Sequence, residues 1–309
     1  MLSLLRIRQN YNLDLKIKIS KIRINIAIDT YGREGLYVSF SGGKDSTVLH
    51  HLVKEVEIER FGNVTIPRVF CDTGLEFPEL KQFAKEIADI TIRPNMSFKQ
   101  VLENYGYPVI SKTQSMAIRK LTTQNLSDKY RNKLLCGDER GSAGKLSNKW
   151  HYLLDAPFKI SEQCCDIMKK RPFHKYEKYT DRIAITGVMA SESYNREIRY
   201  VKDGGCNAFN TKNPQSKPLS VWNTEDILQY ILDKSISIAP VYGQIISENG
   251  HLKTTGEQRT GCVFCAYGVN LEQNPNRFQR LKITHPRLYS YCMNDLNMNE
   301  VLEYLRVDH

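Results

Sequence analysis

The chain has 309 residues, a net charge of +10 at neutral pH and eight cysteines. This length can bury the core of one large α/β domain with an appended or inserted piece, or of two small domains. Eight unevenly placed cysteines do not suit a secreted disulfide framework, and the sequence has neither a signal peptide nor an apolar run of membrane-spanning length. Together these features predict a soluble protein of the reducing cytoplasm, whose positive charge permits a polyanionic partner.

The N-terminal segment, residues 1–35, permits two interpretations of its secondary structure. Apolar and basic residues alternate from Leu13 to Ile28, as they do in a half-buried strand. Four of the apolar residues also follow helical spacing: Leu15, Ile19, Ile22 and Ile26. Both a strand and a helix are therefore compatible with this segment.

Strand-like and helix-like stretches alternate after this segment. Three apolar runs predict strands, in GLYVSF, VTIPRVFCDTG and DITIRP. Two stretches with helical spacing lie between them, STVLHHLVKEVEIERFG and FPELKQFAKEIADI. This order predicts an α/β fold with a parallel twisted sheet, helices on both of its faces and a ligand site at the carboxyl ends of the strands.

The middle of the chain, at about residues 112–160, loses strand character and is predicted to be a basic helical insertion. Sixteen basic and eight acidic residues lie between Lys112 and Arg182, which suits a nucleic acid, although a solvated basic surface explains this charge equally well. A strand then resumes in RIAITGVMASES, and a helix capped near Asn223 or Thr224 follows it.

The turn SFSGGKDS, between the first strand and the first helix of this series, has the composition of a phosphate-binding loop. Gly42 and Gly43 can adopt backbone angles closed to other residues and let a phosphate approach main-chain N–H groups. The helix that begins near Asp45 or Ser46 adds the positive end of its dipole. The pattern is not that of a P-loop, because Val38 occupies the place of its first glycine.

This turn is similar to the pyrophosphate loop, or PP loop, of the adenine-nucleotide α-hydrolase superfamily. Three further stretches resemble, in the same order, segments of its phosphoadenosine phosphosulfate (PAPS) reductase family: FCDTGLEFPE, ITGVMASESYNREIRY and PLSVWNTEDILQYI. The resemblance covers residues 36–268, which we expect to form a nucleotide-binding domain. Residues 269–309 would then form a C-terminal helical tail.

The resemblance implies a set of nucleotide-binding and catalytic residues. The phosphates would be held by Ser39, Ser41, Gly42, Gly43, Lys44, Asp45 and Ser46. The adenosine would lie against Asp72, Thr73 and Gly74, and the remaining contacts would come from Gly187 with Arg196 or Arg199. The implied catalytic residues are Lys44, Asp45, Ser46, Arg196 and Arg199. For either arginine, an ion pair at the surface explains the residue equally well.

Two cysteine pairs resemble a cluster site. Adjacent Cys164 and Cys165, together with Cys262 and Cys265, are arranged as in the assimilatory adenylyl-sulfate reductases, where such cysteines bind a 4Fe-4S cluster. Zinc is the main alternative, because a spacing of two residues lets both sulfurs of a pair face one metal ion. Cys206 is a possible substitute ligand, and since four thiolates saturate a cluster, one of the five cysteines would be spare or catalytic.

Sulfonucleotide reductases of the family carry a C-terminal Glu-Cys-Gly-Leu-His motif with the nucleophilic cysteine, and this sequence has no such motif. Its other features resemble the ATP pyrophosphatases of DNA phosphorothioation systems and, more loosely, the cluster-dependent tRNA thiolases. The resemblance implies that ATP, bound with Mg, is cleaved to AMP and pyrophosphate in support of sulfur transfer. The acceptor would be DNA or tRNA bound through the basic segment 112–182, and the donor a protein such as a cysteine desulfurase.

Two other functions stay open at this point. The chain could be a sulfonucleotide reductase that acts on adenylyl sulfate or PAPS with Cys292 or Cys206 as its nucleophile. It could also be a non-catalytic accessory subunit that binds an adenine nucleotide within a larger complex.

Overall fold

The computed structural model describes residues 2–139, 141 and 144–309. The chain divides into two compact units, each built from three separate segments. Unit 1 comprises Met1–Asp72, Glu76–Arg93 and Pro172–Gly261, and unit 2 comprises Thr73–Leu75, Pro94–Arg171 and Cys262–His309. The domain boundaries that we expect near residues 36 and 268 stay predictions.

The secondary structure alternates between strands and helices over most of the chain. The strands are β1 (Leu36–Phe40), β2 (Arg68–Cys71), β3 (Ile90–Ile92), β4 (Val109–Ile110), β5 (Ile183–Thr186), β6 (Asn207–Ala208), β7 (Gln215–Ser216), β8 (Ile245–Glu248), β9 (His251–Thr254) and β10 (Ala266–Tyr267). The α-helices are α1 (Leu2–Gln9), α2 (Leu13–Tyr31), α3 (Lys44–Phe61), α4 (Pro78–Ile87), α5 (Phe98–Tyr105), α6 (Lys112–Thr123), α7 (Asp128–Cys136), α8 (Arg171–Thr180), α9 (Tyr194–Lys202), α10 (Thr224–Asp233), α11 (Arg277–Thr284), α12 (Pro286–Ser290) and α13 (Met298–Tyr304).

Unit 1 contains a six-stranded sheet in the order β3-β2-β1-β5-β7-β6. Neighbouring strands from β3 to β7 run parallel, and β6 pairs antiparallel with β7 at one edge. Helix α3 connects β1 to β2, and α4 connects β2 to β3, as crossovers between parallel strands require. The α/β fold with a mostly parallel sheet is thus confirmed.

Strand β1 shows that helices cover both faces of this sheet. Leu36 and Val38 are fully buried in a core that also contains residues of α2, α3 and α10. Tyr37 points to the opposite face, since successive side chains of a strand alternate, and its ring lies 5.1 Å from that of Tyr176 in α8. The predicted arrangement of helices on both faces is confirmed.

Residues 13–31 form the single helix α2, so the helical interpretation of the N-terminal segment is correct and the strand interpretation is wrong. The Asn12 side chain caps the helix by accepting the N–H of Leu15 at 3.0 Å. The predicted stripe is not the buried face, however, because Leu15 and Ile22 are 41% and 55% exposed, whereas Ile24 and Ala27 are fully buried.

The buried face of α2 also carries polar residues, and each has a partner near the start of α10. Lys16 Nζ donates to Asp226 Oδ2 at 2.6 Å. Ser20 Oγ donates to the Pro218 carbonyl at 3.0 Å and accepts the indole N–H of Trp222 at 2.9 Å. These partners satisfy groups that would otherwise be buried without hydrogen bonds, and they fix α2 in unit 1.

Unit 2 contains mainly helices, among them α5 to α7 and α11 to α13. Its short parallel ladder pairs Ala266 of β10 with Val109 of β4, which joins the Cys-x-x-Cys segment to the chain just before α6. Helices α6 and α7 and a 3₁₀ helix over Asn148–Asp155 lie within the region predicted to be a helical insertion. In the described part of the chain, no helix is long and apolar enough to cross a membrane.

Candidate nucleotide site and cysteine group

The SFSGGKDS turn connects β1 to α3 at the carboxyl end of the strand. Ser39 is still part of β1, and Gly42 has a left-handed φ of +74°. A Cβ atom at Gly42 would lie 2.9 Å from Ala84 Cβ and 3.0 Å from the Leu80 carbonyl oxygen, both in α4. Backbone conformation and packing therefore both require glycine at this position.

Helix α3 begins at Lys44, slightly earlier than predicted, and its N-cap residue Gly43 has no side chain to cap it. Two serines hold the turn in place. Ser46 Oγ donates to the Gly43 carbonyl at 2.8 Å and accepts the N–H of Ser41 at 3.2 Å. The turn therefore presents the positive end of an 18-residue helix together with the ammonium group of Lys44.

A distant segment of unit 1 contacts the first turn of α3. The Lys44 N–H donates to the Tyr242 hydroxyl at 3.2 Å, and this hydroxyl is also hydrogen-bonded to Thr260 Oγ1 at 2.6 Å. Lys44 Nζ donates to the Gln258 carbonyl at 2.8 Å. Both donors of Lys44 that could hold a phosphate thus have protein acceptors in this structure.

Lys44 is buried, its neighbour Asp45 is half-buried, and the pKa values of both are shifted. Burial lowers the pKa of Lys44, although the Asp45 carboxylate opposes the change. Burial raises the pKa of Asp45, and here the Lys44 charge opposes the change. Asp45 Oδ1 is buried and has no hydrogen-bond partner among the described residues. An unsatisfied buried acceptor costs about 1–3 kcal/mol, so this carboxylate lies in an environment that disfavours its charge.

Gly187 follows β5 and lets that strand end close to α3. A Cβ atom at this position would lie 3.1 Å from the Asp45 carbonyl oxygen. Arg196 of α9 is ion-paired with Glu192, and Arg199 Nε lies 2.8 Å from Asp203 Oδ1. The ion-pair explanation thus holds for both arginines. They also line a cavity of about 150 Å³, large enough for a small oxyanion.

Asp72 directly follows β2 and is a buried carboxylate surrounded by three cations of unit 1. Lys81 Nζ lies 2.9 Å from Oδ1, and Lys85 Nζ and an Arg93 nitrogen lie 3.3 and 3.7 Å from Oδ2. Burial alone would raise the pKa of Asp72, but the hydrogen bonds and charges of Lys81 and Lys85 hold it below its usual value. The carboxylate is therefore ionised and held in position at neutral pH.

The two residues after Asp72 belong to unit 2. Thr73 is buried, and its hydroxyl accepts the N–H of Leu75 at 3.2 Å. Gly74 has a φ of +73°, a conformation that favours glycine. The predicted adenosine-binding turn is therefore shaped by local backbone geometry.

All four predicted cluster cysteines lie in unit 2. Cys164 and Cys165 immediately precede a π-helical turn over Asp166–Lys170. Cys262 and Cys265 lie in a turn closed by a hydrogen bond of 3.1 Å from the Cys265 N–H to the Cys262 carbonyl. The second turn is positioned by the β4–β10 ladder that follows it.

The thiols of the two pairs interact electrostatically. Within the first pair, the hydrogen bond between Cys164 and Cys165 raises the pKa of Cys164 and lowers the pKa of Cys165. The nearby charge of Lys112 lowers the pKa of Cys165 further. Burial and, to a smaller extent, the neighbouring Cys262 raise the pKa of Cys265 to about 11. Among the residues that the structure describes, no three cysteine, histidine, aspartate or glutamate side chains form a group that could hold a metal ion.

Comparison with known families decides the relationship of the chain. Residues 35–114 and 121–266 match the family described as phosphoadenosine phosphosulfate reductase domain. The chain belongs to this family. This family is one of the PP-loop adenine-nucleotide α-hydrolases, so the resemblance of the SFSGGKDS turn is confirmed. No curated protein matches the chain.

Similar solved structures include three of FMN adenylyltransferase from Candida glabrata. One is 13% identical with a TM-score of 0.43, and the match covers 78% of this chain and 65% of that chain. The complex with ATP is 14% identical with a TM-score of 0.42, with the same coverage. The complex with FMN and the ATP analogue AMPCPP is 14% identical with a TM-score of 0.42, and 78% and 66% of the two chains are covered. The chain thus spans about 65% of the length of these relatives.

The remaining candidate cysteines of this PAPS reductase domain protein are buried thiols. Cys206 lies in the core of unit 1 and is 3% exposed, whereas the two cysteine pairs belong to unit 2. Cys292 is fully buried in unit 2. Burial raises the pKa of Cys206, and it raises the pKa of Cys292 to about 12. Neither thiol is therefore ionised at neutral pH.

Sequence reasoning missed the partners that surround the PP loop. Tyr242, Gln258 and Thr260 contact Lys44 or one another, yet they lie about 200 residues further along the chain. Nothing in their local sequence marks them as neighbours of the loop. The lysines beside Asp72 have a weak signal, because they lie one helical turn apart on α4, directly after the strand that ends at this carboxylate.

Proposed function

We propose that this PAPS reductase domain protein is an ATP pyrophosphatase that cleaves ATP to AMP and pyrophosphate and thereby supports sulfur transfer to nucleic acid, as in DNA phosphorothioation. The observation that carries the proposal is the geometry of the PP loop. A helix N-terminus without a side-chain cap and the buried ammonium group of Lys44 lie at the carboxyl end of the central strand. This combination suits a departing group with two phosphates.

The proposed reaction has two displacements. An oxygen of the acceptor attacks the α-phosphorus of ATP, the bond to the bridging oxygen breaks, and pyrophosphate leaves with that electron pair. A sulfur nucleophile from a donor protein then displaces AMP from the adenylated acceptor. Main-chain N–H groups of the turn and Lys44 would neutralise the charge on the leaving pyrophosphate, and Mg would enter with the triphosphate.

The residues around the turn suit these roles. Lys44 Nζ has three donors, so it can bind a phosphate oxygen while it keeps the Gln258 carbonyl. Arg196 and Arg199, at their small cavity, offer planar donors for further phosphate oxygens. Asp72 would accept a hydrogen bond from the nucleoside.

The sulfonucleotide reductase alternative finds less support in the cysteines. Its nucleophile must be an accessible thiolate that attacks sulfur. Cys292 is fully buried and Cys206 is 3% exposed, and burial raises the pKa of each thiol. Both are therefore poor nucleophiles.

The proposal includes a 4Fe-4S cluster held by the two cysteine pairs. The two pairs supply the four thiols that such a cluster requires, and they interact electrostatically within one unit, but no three of these side chains form a metal-holding group in the described residues, so cluster binding would have to draw the pairs together. When bound, a cluster of this kind can hold sulfide or pass electrons. Zinc on the same thiols is the alternative.

The decisive experiment identifies the products formed from nucleotides. Anaerobic protein is incubated with ATP, adenylyl sulfate or PAPS, with and without a thiol reductant and DNA, and AMP, pyrophosphate, ADP and sulfite are measured. We expect AMP and pyrophosphate in equal amounts from ATP, and no sulfite from either sulfonucleotide. Lys44→Ala is the background control. ADP with phosphate, or sulfite formation that is lost in Cys292→Ser, would overturn the proposal, and no turnover above this control would favour the accessory-subunit alternative.

A further inference from the structure

Unit 2 contains a cavity that has no part in the reaction described above. Its volume is about 560 Å³, and it is walled by three segments: residues 149–152, 269–276 and 305–308. Binding sites for small molecules have volumes of about 300–1,000 Å³, so this cavity can accept a nucleotide.

One wall of the cavity is aromatic. The ring centroids of Trp150 and Tyr152 are 6.2 Å apart, and those of Tyr152 and Tyr304 are 5.6 Å apart. The Tyr304 hydroxyl donates to the Tyr152 carbonyl at 3.2 Å, which fixes the backbone of this wall. Tyr152 is 36% exposed, so part of its surface remains open for contact. Aromatic faces of this kind bind nucleobases by stacking, at about 1–3 kcal/mol per base.

The cavity is also positively charged. Lys149 and Arg306 line it, and neither forms an ion pair with a carboxylate in the described part of the chain; Lys149 Nζ lies 4.8 Å from the centroid of the Trp150 ring, so it would have to move from this face as a base stacks there. Two acidic residues lie at the cavity, Glu272 and Asp308, and Glu272 is already neutralised by an ion pair with Arg277. Two cations thus face one remaining carboxylate, which favours an anionic ligand.

The opposite wall offers an unsatisfied acceptor. Asn270 Oδ1 is buried and has no hydrogen-bond partner among the described residues. A donor on the edge of a base could satisfy this oxygen, because an unpaired buried acceptor costs about 1–3 kcal/mol.

The backbone at Arg306 gives an independent argument. Arg306 follows α13 with a φ of +57°, and hydrogen bonds from Arg306 and Val307 to Glu303 and Leu302 close the helix end at 2.9 and 3.0 Å. Glycine or asparagine is preferred at such a position, because the Cβ atom of another residue is crowded in the left-handed conformation. The geometry of the helix end gives no reason for an arginine at this position, whereas a role of its side chain in lining the cavity does.

We infer that this cavity binds one nucleotide of a single-stranded nucleic acid, with its base on Trp150 and Tyr152 and its phosphate held by Lys149 and Arg306. The inference rests on the proposed function for the choice of a nucleic acid as the polyanion, and it names a place where the acceptor strand binds. Two phosphate-binding cations predict a weak salt dependence, with a slope of about −1.4 in log affinity against log salt concentration for a single strand.

The test measures binding of fluorescently labelled single-stranded DNA and RNA, of the same sequences as duplexes, and of AMP alone. Trp222 is fully buried, so quenching of tryptophan fluorescence reports on Trp150. We expect the single strands to bind most tightly and to quench this fluorescence. Trp150→Ala should weaken their binding by about 5- to 150-fold, the range that the stacking energy implies. Phe61→Ala, which removes a ring that is 39% exposed in unit 1 and lies outside the basic segment 112–182, should not.

Arg306→Gly separates binding from folding. It should raise the thermal unfolding midpoint by relieving the left-handed strain, while it weakens single-strand binding by about tenfold; Arg306→Lys should keep most of the affinity. Equal affinity for AMP and the single strands, preference for the duplex, or unchanged binding in both Trp150→Ala and Arg306→Gly would overturn the inference.

The proposed function fails on a different result. Formation of AMP and pyrophosphate by the wild-type protein is measured in the presence of the single strands, which supply the attacking oxygen, so the absence of ATP cleavage together with Trp150-dependent binding of those strands would refute the pyrophosphatase and leave the cavity assignment intact.

Discussion

The PP loop of unit 1 and the cysteine group of unit 2 are built in different ways. The loop is eight consecutive residues, and its geometry is fixed by a strand end, a left-handed glycine and a helix start. The four predicted cluster cysteines come from two segments about 100 residues apart, and among the described residues no three of these side chains form a group that could hold a metal ion. A site made of backbone N–H groups is formed as soon as its local elements are formed. A site made of distant thiols depends on the packing of the whole unit, and its thiols shift each other's pKa values.

The largest effect is expected from a side chain placed in the backbone-built site. Gly43 has an ordinary φ of −68°, so Gly43→Val should fold, but its Cβ would lie 3.2 Å from Ser41 Oγ and 3.4 Å from the Tyr242 hydroxyl. Its methyl groups would occupy the approach of the phosphate. Loss of two charge-assisted hydrogen bonds, at about 1.5–3 kcal/mol each, predicts at least a ~100-fold loss of ATP affinity in calorimetry.

Gly62→Ala is the matched control for this variant. Gly62 ends α3 with a φ of +74° and open space around it, so alanine there should cost about 1 kcal/mol of stability and leave ATP affinity unchanged. Wild-type ATP affinity in a folded Gly43→Val protein would show that the loop does not bind the phosphates.

The next effect tests the side-chain-built site. After anaerobic reconstitution we expect about four iron and four sulfide per chain, and Cys262→Ser should lose both because a cubane needs each of its thiolates. Cys136→Ser, which changes an exposed cysteine of the same unit, should keep them. Iron and sulfide are measured by chemical analysis and the cluster by its absorption spectrum. Stoichiometric zinc without iron would contradict the cluster and show that these cysteines form a zinc site.

A smaller effect concerns the unfavourable charge in the PP loop. Because burial raises the pKa of Asp45, the folded state binds its proton more readily than the unfolded state, and the stability of the apoprotein should fall as the pH rises through that pKa. Asp45→Asn should therefore raise the free energy of unfolding at pH 7 by about 1 kcal/mol while it abolishes ATP cleavage. The gain should shrink as the pH falls toward about 3.9 and disappear below it, where the carboxyl is protonated in both states.

Urea titrations at pH 7 and at pH 4 measure this difference. The exposed Asp295→Asn serves as the control and should stay within about 0.5 kcal/mol of the wild type at both values. A stability gain for Asp45→Asn that is the same at both values would mean that the Asp45 charge is not its cause.

The smallest effect is expected at the contact between the two distant segments of the nucleotide site. Tyr242→Phe removes the acceptor of the Lys44 N–H and the partner of Thr260, which should cost about 0.5–1.5 kcal/mol of stability. ATP affinity should rise a few-fold, since this N–H becomes free for a phosphate. Tyr179→Phe is the exposed control. A loss of ATP affinity in Tyr242→Phe would instead show that the hydroxyl itself contacts the nucleotide.

The same contrast explains what could be predicted from the sequence. The strand, turn and helix from Leu36 to Phe61 are predictable because strand propensity, glycines and helical spacing agree within one short segment. The alternation of strands and helices extends this to a parallel sheet with helices on both faces, but the order of its strands was not predicted. Because the turn itself is predictable, so is the location of Lys44 and Asp45 between the strand and the helix.

Contacts between distant segments could not be predicted. The face of α2 that is buried depends on polar partners near α10, so the apolar stripe that includes Leu15 and Ile22 gave the right helix but the wrong face. The hydrogen-bond acceptors of Lys44, from Tyr242 and Gln258, could not be predicted either, because they too lie in a distant segment of the chain. Hydrophobic spacing records which residues are apolar, but it does not record which polar residues find partners.

The attachment of α2 also has a consequence for synthesis of the chain. Lys16 and Ser20 are bonded to Asp226 and Trp222, which lie 210 and 202 positions later. At a translation rate of about 5–20 residues per second, some 10–40 s pass before these partners exist. During that time the helix has an apolar face without its core and an ammonium group without its carboxylate. One of the first helices to leave the ribosome is therefore among the last to be fixed in place, and until then it is a natural target for chaperones.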